Sequence, residues 1–80
     1  MDCFEKDTDY FAKGVKKIDD VKTARDCQSE CQKEAKCEFW LWYEDKKCRL
    51  RKNKRNKRDK VKAGYITGPR VCPGKYYNYV

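Results

Sequence analysis

Six cysteines, at positions 3, 27, 31, 37, 48 and 72, are the side chains of this 80-residue sequence with the widest choice of chemistry. A thiolate can ligate a metal, attack an electrophile or close a disulfide. Zinc knuckles need Cys-x-x-Cys or cysteine–histidine pairs, and this chain has no histidine and no Cys-x-x-Cys. A mitochondrial twin Cys-x-x-x-Cys hairpin needs the motif twice; it occurs once, at Cys27 and Cys31. Without histidine the commonest general base is missing, and Ser29 has no evident partner to activate it. Glu30, Glu34, Glu38 and Glu44 read as a solvated surface, and no glycine-rich phosphate loop or calcium-loop spacing occurs. An even cysteine count in a short chain points to disulfides and an oxidising compartment. The chain is therefore expected to be non-enzymatic, without cofactor or metal, and to work outside the cell or in a secretory organelle.

Four of the six cysteines lie between Cys27 and Cys48, so the elements there must position them. Thr23 with Asp26 three residues on approximates a capping box, and good helix formers continue from Ala24 to Ala35. On such a helix Cys27 and Cys31 share one face, a turn apart. Phe39-Trp40-Leu41-Trp42-Tyr43 reads as a buried strand. Residues 44–47 read as a polar turn and Cys48-Arg49-Leu50-Arg51 as the returning strand. Side chains alternate along a strand, so either Trp40 and Trp42 face the helix or Phe39, Leu41 and Tyr43 do. Upstream, Cys3-Phe4 should begin an edge strand, Asp7-Thr8-Asp9 a turn, and Gly14 to Ile18 a second short strand, with Asp19-Asp20 leading into the helix. Tyr10 and Phe11 are expected in the core, with ligand contact as the alternative. Val61-Lys62-Ala63 should rejoin the sheet, and Tyr65 and Ile66 should form the closing strand. One domain over 1–72 is expected, with 73–80 as a flexible linker stub.

Six cysteines can pair in fifteen ways. A helix laid on a β-hairpin narrows the choice, since the chain leaves the helix just after Cys31 and enters the sheet at Cys37. The first strand then runs back toward the helix start, where Cys48 can reach Cys27. Cys3 and Cys72 remain and would clip the ends together. Closing loops of these sizes contributes roughly 2 to 4.5 kcal/mol per bond in the chain-entropy model.

These residues carry a resemblance. A cysteine in first position, Cys-x-x-x-Cys on a helix, a cysteine followed by an aromatic strand, Cys48-Arg49-Leu50-Arg51 and a closing Gly64-Tyr65-Ile66-Thr67-Gly68-Pro69-Arg70-Val71-Cys72 resemble the PAN/apple domain from Cys3 to Cys72. The resemblance implies an α+β fold, a curved antiparallel sheet cradling one helix, with nested disulfides that match 3–72, 27–48 and 31–37. It also implies Trp40 and Trp42 facing the helix. Family members are extracellular binding modules, found in plasminogen, hepatocyte growth factor, factor XI, prekallikrein and microneme adhesins. The Gly-Pro-Arg-Val-Cys ending is most similar to the adhesin branch.

Charge is unevenly placed. The formal net charge is +8, yet residues 46–62 alone hold eleven Lys or Arg and one acid, Asp59, for +10. Arg51 to Lys60 contains no hydrophobic residue and is expected to be an exposed, mobile loop. Its candidate ligand-binding residues are Arg51, Lys52, Lys54, Arg55, Lys57, Arg58, Lys60 and Lys62. A sulfated glycan is the commonest polyanion outside the cell, and a Lys/Arg cluster meets it by ion pairing and counterion release. Nucleic acid is set aside by the compartment and membrane insertion by the lack of apolar residues in the loop. The bland alternative is a loop that only keeps the domain soluble.

The sequence has no apolar run of membrane-spanning length. Met1-Asp2 directly before Cys3 suggests an excised or recombinant module, from a larger parent expected to carry the secretory signal and further domains. The expected function is a binding or adhesion module recognising host or self proteins, or acidic glycans, in a microneme-type adhesin. The alternative is an accessory apple domain of a secreted serine protease.

Overall fold

Thr23 holds an extended backbone, and its Oγ1 accepts a hydrogen bond from the Asp26 N–H at 3.1 Å, which starts helix α1 at Ala24. The computed structural model describes residues 3–43, 45–59, 61 and 63–73, and in it α1 spans Ala24–Lys33. That end comes two residues before the expected Ala35. Glu34 leaves the helical region with an extended backbone, and Arg70 takes up the carbonyls left over. Its Nη1 donates to Glu34 O at 2.8 Å and Cys37 O at 3.0 Å, and its Nη2 donates to Gln32 O at 2.9 Å. A cation at the negative end of the helix dipole thus satisfies acceptors that the helix cannot pair itself.

Five strands form one antiparallel sheet: β1 (Glu5–Lys6), β2 (Lys13–Ile18), β3 (Phe39–Tyr43), β4 (Lys47–Lys52) and β5 (Ile66–Pro69), in the order β1-β5-β3-β4-β2. The aromatic run is therefore the central strand. The expectation that 61–63 rejoins the sheet is corrected, because Val61 and Ala63 lie outside any strand and β5 begins only at Ile66. Gly64, at φ 96°, turns the chain where a side chain would be strained. Its N–H donates to Asp7 Oδ1 at 2.8 Å, so this stretch is tied to the turn after β1 rather than to a ladder.

α1 covers one face of β3 and β4. Cys27, Cys31, Val21, Cys37, Trp40, Cys48 and Leu50 form the buried cluster, with Trp42, Ile18 and Ile66 packed against it. The tryptophans thus face the helix, as the family pattern implies. Both indole N–H groups are satisfied: Trp40 Nε1 donates to Pro69 O and Trp42 Nε1 to Val21 O, each at 2.8 Å. The disulfides are Cys3–Cys72, Cys27–Cys48 and Cys31–Cys37, with Cα separations of 5.8, 5.5 and 5.3 Å. Two of them staple α1 to the hairpin and the third joins the ends.

Gly68 sits directly opposite Trp40 in the β3–β5 ladder. A Cβ there would lie 2.5 Å from Trp40 Cζ2 and 3.0 Å from Phe4 Cδ1. Trp40 is fully buried, with Phe4 edge-on to its ring at 4.7 Å, so it cannot move aside freely. Gly68→Ala should therefore cost about 1–3 kcal/mol, as overpacking does, read as a lower unfolding midpoint in urea with disulfides intact.

Candidate binding surface

Phe39, Leu41 and Tyr43 point away from α1, and no helix among the described residues covers that side. Phe39 and Leu41 are nevertheless buried. The cover of Phe39 is built from two segments, 9–11 and 53–58. The Phe11 N–H donates to Asn56 O at 3.0 Å, Arg55 N–H to Phe11 O at 2.8 Å and Arg58 N–H to Asp9 O at 3.0 Å, around a Tyr10–Lys57 bridge. The basic segment, expected as a mobile loop, is thus fastened to the sheet's second face by backbone pairing.

Asp9 is the pivot. Its side chain is 3% exposed, and it accepts from Arg51 Nη1 at 2.8 Å on Oδ1, with Arg58 Nη1 at 3.4 Å from Oδ2. Arg51 accordingly departs from the expectation of an exposed loop residue. It belongs to β4 and is buried, because a carboxylate neutralises it and donor–acceptor contacts replace water. The remaining cover is cation over ring. Lys54 Nζ lies 4.0 Å from the Tyr10 centroid, Arg58 Cζ lies 4.6 Å from that of Phe11, and Tyr10 meets Phe39 edge-on at 6.3 Å. Tyr10 is half-buried and Phe11 stays exposed, so neither is the core residue expected.

Outside this cover, the cations of β4 and the following segment meet those of β2. Lys13 stands directly opposite Lys52, and Lys17 opposite Arg49. Like charges in cross-strand register repel. Among the described residues, the ion pairs are Lys33–Glu30, Arg51–Asp9 and Arg58–Asp9, and none relieves these positions. An open groove of about 480 Å³ runs here, lined by Gly14, Lys16, Lys17, Arg49 and Arg51 among others. Of the sequence-predicted site residues, Lys52 stands in this ladder, Lys54 is seated over the Tyr10 ring, Arg55 and Lys57 are exposed on the segment 53–58, Arg58 is half committed to Asp9, and Lys60 and Lys62 lie outside the described residues. Lys13, Lys17 and Arg49 were missed. A bulge between Gly14 and Lys16 sends Lys13 and Lys17 to opposite faces of the sheet, which strand alternation in the sequence does not signal.

Two phenols have altered acidity. The hydrogen bond from Tyr10 Oη to Glu5, 2.7 Å to the nearer oxygen, pushes its pKa up to about 12, assisted by burial and by the negative charge of Glu5. Burial raises Tyr43, stacked on Tyr65 at 4.6 Å, while the nearby Arg49 cation pulls the other way.

A disulfide-stapled sheet and helix of this size, presenting an unneutralised charged face, defines a small binding module. The family model described as the PAN domain matches residues 3–72, so the chain belongs to the PAN domain family. Its fold is similar to the solution structure of a PAN module from Eimeria tenella, with a TM-score of 0.66 at 24% identity, over 89% of this chain and 81% of that one. No curated protein matches the sequence. PAN domains are generally non-catalytic modules that bind proteins or carbohydrates, and their disulfide-rich make-up fits secreted or extracellular proteins.

Two measurements follow from this geometry. Asp9→Ala strands the buried Arg51 cation and should cost about 3–5 kcal/mol, seen in chemical denaturation with disulfides intact. The tyrosine titration has its own signature. Because Tyr10 is raised in the folded state, its stabilising contribution is complete below pH 10.0 and is lost as pH climbs through about 12. Tyrosinate absorbance should show a phenol titrating through about 12, and Glu5→Gln should bring that one down.

Proposed function

We propose that this PAN domain is a non-catalytic extracellular adhesion module that engages sulfated, acidic glycans through the basic segment 46–62, within a multidomain parent of the microneme-adhesin type. The observation that carries the reading is the pairing of like charges across the β2–β4 ladder, Lys13 opposite Lys52 on the helix side of the sheet and Lys17 opposite Arg49 on the second face, with Arg55 and Lys57 exposed on the segment 53–58. A polyanion bound at either pair relieves its repulsion and releases counterions, both of which favour binding. Backbone pairing of 53–58 to 9–11 holds the cations in a fixed array, so less conformational entropy is lost on binding than a free loop would lose. Phe11, exposed beside Arg58, offers a ring face on which a sugar can stack.

The test is retention on immobilised heparin beside a plain cation exchanger of equal charge density. Neutralising Lys13, Lys17, Arg55 and Lys57 together should remove most retention and lower the slope of log affinity against log salt by up to about 3.6, at roughly 0.9 per phosphate-like contact. Thermal stability should hold or rise slightly, since these groups make no ion pair among the described residues and two of them repel their neighbours. Equal retention on both columns, or retention that survives the substitutions, would reduce the array to a solubility device.

A further inference from the structure

Arg55-Asn56-Lys57-Arg58 places basic residues first, third and fourth before the Arg58–Asp59 peptide bond. Residues 53–59 are all exposed, and the stretch is extended enough to pair with the segment around Tyr10. Subtilisin-type endoproteases of the secretory pathway bind substrate as an added strand. They read arginine at the last and fourth-last positions before the cut, with a further basic residue just before the last, through acidic pockets that pair with each guanidinium or ammonium. We propose that Arg58–Asp59 is a processing site for such a basic-motif endoprotease. The Arg58 carbonyl carbon–Asp59 nitrogen bond breaks, and one water is consumed, its hydroxyl going to the Arg58 carbonyl and its hydrogen to the Asp59 amine.

The disulfide frame keeps the product in one piece. Cys27–Cys48 and Cys31–Cys37 lie wholly before the cut, and Cys3–Cys72 joins the part after it to the part before. β5 remains held between β1 and β3. The cut instead acts on the cover of the second face. Arg58 is fastened to Asp9 by its backbone N–H and its guanidinium, so the new carboxylate arises on the residue whose guanidinium pairs with a buried carboxylate. The added negative charge opposes that pairing, which loosens 53–58 and uncovers Tyr10 and Phe39. The same contacts work as a latch beforehand, because intact Arg58 must leave Asp9 and Phe11 before it can enter a protease pocket. This inference rests on secretion of the module and is independent of glycan binding.

The test exposes native, disulfide-intact protein to a purified subtilisin-type basic-motif endoprotease. The expected product gains the mass of one water, stays a single species without reductant, and separates after reduction into 1–58 and 59–80. Arg55→Ala and Arg58→Ala should each abolish the cut. Asp9→Asn and Phe11→Ala should accelerate it severalfold by releasing the latch. Phe11→Ala removes an exposed ring and serves even if Asp9→Asn fails to fold. The proposal is overturned if native protein resists while the reduced, unfolded chain is cut at the same bond, or if the native cut falls at another bond. An unchanged rate in Phe11→Ala overturns the latch. Wild-type protein that is cut at this bond but not retained on heparin, or retained but not cut, tells the failure of one reading from that of the other.

Discussion

Five large apolar residues in succession on one strand put Trp40 and Trp42 on one face and Phe39, Leu41 and Tyr43 on the other, and water penalises both faces unless each is covered. In a chain of 80 residues, 42% of them charged, the described residues hold one helix with which to do it. α1 takes the tryptophan face, where the cysteines of helix and hairpin meet and join. The second face has no apolar segment to spare. It is closed by ring edges and by cations held over rings, all hung on one buried carboxylate, Asp9.

That arrangement explains why a strongly basic stretch can be structural. A guanidinium presents a flat, weakly hydrated face to an aromatic ring while its N–H groups stay available to a carboxylate. Arg51 uses only the carboxylate and is buried; Arg58 uses both and is partly exposed. The backbone of 53–58 finds partners in 9–11, so a segment without a hydrophobic side chain still satisfies its polar groups at the edge of a core. Net positive charge is then a surface consequence of covering apolar strands with Lys and Arg stems.

The sequence made the first face legible because its signals are local. Thr23 and Asp26 mark the helix start, the aromatic run marks β3, and cysteine spacing with helix and strand geometry leads to the disulfide pairing that the structure has. The second face was not legible, since each of its contacts joins residues far apart in the chain. Asp9 looks like a turn residue until Arg51, 42 positions away, is seen against it. Arg70 looks like part of a closing motif until it reaches Glu34 O, 36 positions back. Lys13 and Lys17 look like ordinary solvated strand residues until the sheet order sets them against Lys52 and Arg49. Composition alone treats the segment 46–62 as one basic block, whereas packing divides it.

That division bears directly on function. A cation paired with Asp9 or seated on a ring has partly given up its hydration to the fold, and an external anion must compete with those contacts. Lys13, Lys17, Lys52, Arg55 and Lys57 have no ion-pair partner among the described residues, and two of the pairs repel across the β2–β4 ladder. Repulsion in a folded surface is relieved by whatever brings negative charge to it, which is why the proposed polyanion would favour these positions over evenly spread lysines. Arg51 and Arg58 contribute differently: by fixing the segment that carries Arg55 and Lys57, they set the spacing of the free charges. In the proposed complex the buried carboxylate would therefore act on binding without touching the glycan, by fixing the segment that carries those cations.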